Sequence, residues 1–135
     1  MTGILQRVVA AADPAAIVER RRTNWQALHA RLAGSPGYCP VFETLPEGIC
    51  PLCLVIRASQ RNTLDAALNE KGIYSYPWGN FYHPSLNPSE FPDMARMRDE
   101  ILCLPVHQQL TAEQIERIAA TARPLLAKYG WFEAG

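Results

Sequence analysis

The chain has 135 residues, and its 13 basic and 13 acidic side chains give a formal net charge of zero. An apolar fraction of 48% is that of a globular protein and excludes intrinsic disorder as the main state. The balanced charge argues against a nucleic-acid-binding protein and against a protein held at a membrane surface by basic residues.

The length of the chain is that of one compact domain, so we predict a single domain over residues 1–135. No apolar stretch approaches the ~18 residues that cross a bilayer, so no membrane partner is predicted. Residues 1–12 are amphipathic and lack the continuous apolar run of a signal peptide. We therefore expect a cytoplasmic protein with reduced cysteines.

The first predicted element is a long N-terminal helix over residues 13–33. Asp13 is a typical N-cap, Pro14 is a typical first helical residue, and Gly34 favours the end of the helix. An apolar stripe at helical spacing comprises Ile17, Trp25, Leu28 and Leu32. The three successive arginines 20–22 fan around the helix and indicate a solvated face, from which one arginine could reach a ligand or a partner.

A core of strands and helices is predicted over residues 49–130. Strands are predicted at 49–56, at 73–76 and at 101–104. The fold class is therefore α/β, of the α+β type, with a small, mainly antiparallel three-stranded sheet covered by helices.

Three further helices separate and follow these strands. The first runs to about residue 70 with Ser59 or Asn62 as N-cap, and Gly72 lies just after its end. A short helix covers residues 92–99. The last helix begins with a capping box formed by Thr111 and Gln114 and ends at Gly130.

The cysteines leave two interpretations open. Cys50 and Cys53 have the C-x-x-C spacing of redox pairs and zinc sites. In a strand, however, residues three positions apart point to opposite faces, and no second ligand pair completes a tetrahedral site. We predict no metal site and interpret the cysteines as small buried hydrophobic residues. A zinc or redox module is the alternative.

Five segments spread over nearly the whole chain carry a resemblance to a known family. They are residues 21–28, 45–52, 68–74, 101–108 and 111–118. The chain resembles the small C-terminal domain of the DegT/DnrJ/EryC1/StrS aminotransferases, which are pyridoxal-phosphate enzymes acting on nucleotide sugars and related keto substrates. The resemblance implies the fold of that domain, with a linking helix, a closing strand and a last helix.

The resemblance also implies that this chain carries no cofactor and no catalytic residue. In the family, the Schiff-base lysine and the phosphate cradle belong to the large domain, and no segment here resembles it. Lys71 and Lys128 are the two lysines of the chain, and neither has the sequence context of the Schiff-base lysine. The domain by itself is then no transaminase, and pyridoxal phosphate would enter if a partner supplied the lysine.

The richest local chemistry lies in the aromatic loop, which we define as residues 76–83. The predicted ligand-binding residues are Tyr76, Trp78, Asn80, Tyr82 and His83. Their rings and polar groups could hold a small sugar-like molecule, a base or a partner's side chain. Family members carry a histidine near the end of this strand, whereas His83 comes several residues later. In the alternative interpretation, the aromatic side chains close one end of the core.

The resemblance implies an interface as well. In the family, the linking helix and one sheet face pack on the large domain, which predicts exposure of Val8, Val9, Ile17, Trp25, Trp131 and Phe132. Such a surface implies a homodimer or a cofactor-binding large-domain partner. Three functions remain open: a non-catalytic domain that binds a ligand or a partner, the substrate lid of a split aminotransferase, and a remnant domain with no ligand function.

Overall fold

The computed structural model describes Gly3, Arg7 and residues 13–81 and 83–133. The helices that it describes are α1 (Pro14–Leu32), α2 (Arg61–Glu70), α3 (Pro92–Glu100), preceded by a 3-10 turn at Pro88–Glu90, and α4 (Ala112–Tyr129). The strands are β1 (Cys39–Pro40), β2 (Cys53–Arg57), β3 (Tyr76–Pro77) and β4 (Ile101–Pro105). They form one antiparallel sheet in the order β1-β2-β4-β3.

The predicted α/β class and antiparallel sheet are confirmed, but the sheet has four strands in the described part of the chain, not three. The additional strand is β1, which pairs Cys39 with Arg57 and Pro40 with Ile56. A two-residue strand containing a proline has no alternating apolar pattern, so its sequence carries no strand signal. It forms at the edge of the sheet because its backbone pairs with that of β2.

The predicted strand at 49–56 begins four residues late, since β2 starts at Cys53. The preceding segment is tied to α1 instead of the sheet. Arg22 Nη1 donates to the carbonyl oxygens of Pro46 at 2.7 Å and Ile49 at 2.8 Å, and Arg21 Nη1 donates to that of Pro51 at 3.2 Å. The prediction of a merely solvated arginine face is therefore wrong for these two residues.

The helix ends follow local rules, with one exception. The Asp13 carboxylate accepts from the Ala16 amide at 3.0 Å, and the capping box of Thr111 and Gln114 is complete. The predicted N-caps of α2 are wrong, because Gln60 occupies that position without a side-chain hydrogen bond. Ser59 is engaged elsewhere, and its hydroxyl donates to the Phe132 carbonyl oxygen at 3.1 Å.

The two faces of the sheet have different surroundings. Leu54, Ile56, Leu102 and Leu104 point to the inner face and are fully buried in one cluster with side chains of α1, α2 and α4. Because side chains alternate along a strand, the residues between them point to the outer face. This outer face carries Cys53, Val55, Ile101 and Cys103, with Tyr76 opposite Cys103.

Candidate functional site

An apolar groove of about 580 Å³ lies on the outer face of the sheet. Cys53, Val55 and Ile101 form its floor, and residues 41–42, 44–46 and 49–52 form one wall. Trp78 and Met97 also line the groove. Of the described residues that line the groove, none carries a charge.

Several large side chains of the apolar groove are open to solvent. The exposed fraction is 64% for Leu52, 58% for Phe42 and 49% for Ile49, and Trp78 and Met97 are similar. Isolated exposed apolar side chains are common, but a contiguous set of this kind marks an interaction surface. The arrangement suits an apolar partner surface better than a polar solute.

The wall of the groove is held by long-range contacts. Arg21 and Arg22 of α1 bind its carbonyl oxygens, and Arg21 Nε also donates to Gln108 Oε1 at 2.8 Å. The Val41 amide donates to the Val55 carbonyl oxygen at 2.9 Å, which extends the pairing of β1. The exposed apolar side chains are thus carried by a fixed backbone.

The aromatic loop reaches the groove through one of the predicted residues. Trp78 lines the groove, and its amide donates to the Ile101 carbonyl oxygen at 3.1 Å. Asn80 lies beside it, and both accept from Arg61 Nη1, Asn80 through Oδ1 at 3.1 Å and Trp78 through its carbonyl oxygen at 3.4 Å. Arg61 was not among the predicted site residues. A cation at the helical spacing of the buried Leu64 and Leu68 was the available signal.

The other predicted ligand-binding residues are dispersed. His83 is exposed, and its Nδ1 lies 2.6 Å from Ser85 Oγ. Tyr82 lies outside the described residues. Tyr76 belongs to β3 and faces Cys103 on the outer face. The structure therefore brings Trp78 and Asn80 together at Arg61. Tyr76 instead lies beside two cysteines, with which it forms what we call the thiol cluster.

This thiol cluster consists of Cys53, Cys103 and Tyr76. The neighbouring Cys103 thiol lowers the pKa of Cys53 to about 7, although burial acts in the opposite direction, and the Tyr76 hydroxyl also lowers it. The proximity of Cys53, together with burial, raises the pKa of Cys103. Burial, together with the proximity of Cys53, raises the pKa of Tyr76. The prediction of buried cysteines is confirmed for Cys53 and Cys103, but it is wrong for Cys50, which is exposed.

The predicted interface residues have mixed environments. The prediction is wrong for Trp25, which is only 4% exposed and stacks on the His29 ring with centroids 5.0 Å apart. Trp131 is partly covered by the Arg57 guanidinium, 3.5 Å above its ring, and Phe132 is exposed. Ile17 is half-buried. Val8 and Val9 lie outside the described residues.

Among the described residues, neither lysine is placed to bind pyridoxal phosphate at the groove. Lys71 and Lys128 are both exposed at the ends of helices, and neither lines the groove. Lys128 Nζ lies 4.8 Å above the Tyr129 ring instead. Within residues 13–81 and 83–133, with Gly3 and Arg7, no group of three or more metal-binding side chains comes together. The described helices also include none long and apolar enough to cross a membrane.

The structure thus defines a small α/β domain whose antiparallel sheet is covered by helices on one face and carries an apolar groove on the other. The sequence profile of the DegT/DnrJ/EryC1/StrS aminotransferase family matches residues 12–123. The chain belongs to this family. A search among curated proteins finds no match.

Solved aminotransferase structures share the fold. DesV from S. venezuelae, solved with a ketimine intermediate, has a TM-score of 0.75 at 21% identity over 93% of this chain and 35% of its own. TlmJ from Streptoalloteichus hindustanus has a TM-score of 0.65 at 25% identity, covering 82% of this chain and 32% of its own. PseC from Helicobacter pylori, an aminotransferase of pseudoaminic acid biosynthesis, has a TM-score of 0.67 at 16% identity over 81% and 32%. This chain spans about a third of their lengths.

Proposed function

We propose that this domain is a non-catalytic part of a sugar aminotransferase and docks, through the apolar groove, on a cofactor-binding domain. The observation that carries the proposal is the groove itself, which lies on the outer face of the sheet and has no charged side chain among its described lining residues. Burial of such a surface is favourable by about 25 cal/mol per Å² of apolar area. A partner domain provides that burial.

The partner's chemistry follows from the family and from what this chain lacks. The solved relatives are about three times as long, so most of each relative has no counterpart here. A Schiff-base lysine must come from that other part, because Lys71 and Lys128 lie on exposed helix ends. In this arrangement the domain supplies the lid over the substrate, with Trp78 at the edge nearest the groove. The four free cysteines support a cytoplasmic assembly.

The test is affinity purification of the tagged chain from its own host, with absorbance spectra and mass spectrometry of the eluate. We expect a second chain that carries bound pyridoxal phosphate. Leu52→Glu places a charge in the groove and should abolish the co-purification. Tyr74→Glu is the matched control, since Tyr74 is 80% exposed and does not line the groove.

Other results of the purification would support the alternative functions. A colourless dimer that Leu52→Glu dissociates would make the groove a homodimer interface and would contradict docking on a cofactor-binding domain. A colourless monomer would support a remnant without such a partner. Equal behaviour of the two variants would exclude the groove as the interface.

A second candidate function, binding of a sugar-like molecule, is favoured by the exposed Trp78 ring beside Asn80. Aromatic rings stack on sugars, and amides bind hydroxyl groups. Saturable quenching of tryptophan fluorescence by a nucleotide sugar, lost in Trp78→Leu, would support it. Unchanged fluorescence in the wild-type protein would contradict it.

A further inference from the structure

A second concave site lies apart from the apolar groove. It is a crevice of about 130 Å³ between the connection from α2 to β3, the end of β4 and the first turns of α4. It shares no lining residue with the apolar groove, so the proposed docking function does not use it. A cavity of about 150 Å³ holds a benzene molecule. The crevice therefore has room for one ring or one branched aliphatic group.

The floor of the crevice is apolar. Ile73 and Ile118 line it, and both are buried members of the hydrophobic core. Leu110 also lines it and packs against the same core. An apolar group that lies on this floor is removed from water, which is favourable.

A fixed cation stands beside this floor. Arg117 of α4 donates through Nη2 to the Lys71 carbonyl oxygen at 2.9 Å, which ties its guanidinium to the end of α2. A Cβ at Gly72 would lie only 3.2 Å from the same nitrogen, so the guanidinium rests against the glycine. Within the described part of the chain, no carboxylate forms an ion pair with Arg117, including that of Glu113 one turn earlier. Most of its N–H donors therefore remain available to a ligand.

The neutral polar groups at the crevice are donors as well. Gln114 Oε1 accepts from the Thr111 amide at 2.8 Å, so the capping box uses the oxygen of this side chain and leaves its Nε2 hydrogens. The Tyr74 hydroxyl can also donate. Of the described residues that line the crevice, Arg117 is the one that carries a charge. The site thus combines an apolar floor with donors and a positive charge, which suits an anionic ligand with an apolar part.

We propose that the crevice binds a small monocarboxylate that carries one ring or one branched aliphatic group. The carboxylate meets Arg117 and Gln114, and the apolar group lies on Ile73 and Ile118. A guanidinium matches a carboxylate through two parallel hydrogen bonds. Inorganic phosphate is the weaker ligand, because it would find one cation and would leave the apolar floor in water. The site is additional to the proposed docking function and does not depend on it.

The test is a titration of the full chain with sodium benzoate, followed by NMR spectra of nitrogen-labelled protein at constant ionic strength. We expect saturable shifts of the Gly72 and Tyr74 amides and of Arg117 Nε–H, with a dissociation constant on the order of 1 mM. Benzamide has the same shape without the charge and should bind about fivefold more weakly. Acetate lacks the ring and should bind about tenfold more weakly.

Two variants and a control distinguish a site from a surface arginine. Arg117→Gln removes the cation and should weaken benzoate binding about fivefold. Gln114→Glu keeps a residue suited to the capping box but places a negative charge at the crevice, so it should weaken binding to a similar extent. Arg123→Gln is the matched control and should leave binding unchanged. Arg123 also lies on α4 and donates to a backbone carbonyl oxygen, that of Arg31 at 3.1 Å, but it does not line the crevice.

Three results would overturn the proposal. One is the absence of a saturable shift at residues 72–74, and another is equal binding of benzoate with benzamide, acetate or inorganic phosphate. The third is an equal effect of Arg117→Gln and Arg123→Gln. If Arg117→Gln fails to fold, Gln114→Glu decides, because its capping box is kept. The titration involves no partner chain, so its failure leaves the docking proposal, which Leu52→Glu tests, unaffected.

Discussion

Arg61 Nη1 donates to Asn80 Oδ1 at 3.1 Å, which links the first turn of α2 to the aromatic loop 19 residues later. The arginine is only 5% exposed, and its Nε has no hydrogen-bond partner among the described residues. Burial lowers its pKa, although the Asp99 and Asp65 carboxylates act in the opposite direction. The loop that borders the groove is therefore held by a guanidinium group whose burial is energetically unfavourable.

Arg61→Ala should release the aromatic loop. The substitution removes the hydrogen bonds to Asn80 and Trp78, so we expect a loss of about 1–3 kcal/mol in the free energy of unfolding. Urea denaturation measures the loss, and amide hydrogen exchange of residues 78–81 measures the release of the loop. Arg98→Ala, on the neighbouring α3, is the comparison. Unchanged exchange in Arg61→Ala would show that the loop is held by other contacts.

Alanine substitutions at Leu54 and Leu52 should differ sharply in their effect on stability, although the two residues are only two positions apart. Leu54 is fully buried on the inner face, whereas Leu52 is 64% exposed in the groove. Leu54→Ala should cost about 2–5 kcal/mol in unfolding free energy, because it leaves a cavity. Leu52→Ala should stay within about 0.5 kcal/mol. Chemical denaturation of both variants tests this, and a large loss for Leu52→Ala would give the groove a structural role.

Gly37 should be less replaceable than Gly34. Both have a positive φ, +73° and +75°, so alanine is strained at either position. A Cβ at Gly37 would also overlap the Leu126 carbonyl oxygen, whereas Gly34 faces open space. We expect a loss of about 1–2 kcal/mol for Gly34→Ala and a larger one for Gly37→Ala. Equal melting temperatures of the two variants would contradict the close approach.

Stability should depend on pH through the thiol cluster. The pKa of Cys53 in the folded state, about 7, lies below the ordinary value of about 8.5. Between these values the unfolded chain binds more protons, so stability rises with pH. Above about 8.5, Cys103 keeps its proton in the folded state, since its pKa is raised, and stability falls. Unfolding free energies of the wild type should exceed those of Cys53→Ser by the largest amount near pH 8.5, and a constant difference would contradict this.

The sequence alone was sufficient where neighbouring residues decide the structure. Asp13 and Thr111 cap their helices through residues three positions away, and Gly34 and Gly72 follow helix ends with a positive φ. Such interactions lie within one helical turn, so the local sequence is enough to predict them. The family resemblance rests on five short segments of the sequence, and it is confirmed over residues 12–123.

Features of the site depended on contacts between distant parts of the chain. Arg22 holds the groove wall 24 and 27 residues away, and β1 forms because β2 accepts it. A long-range contact also explains why Cys50 and Cys53 differ in exposure. The backbone before β2 is hydrogen-bonded to α1, and Cys50 is exposed to solvent, whereas Cys53 is buried. Hydrogen-bond partners so far apart leave no periodic pattern in the sequence. The sequence by itself therefore determined the helix caps and the family, and the tertiary structure decided the groove, the position of Arg61 and the thiol cluster.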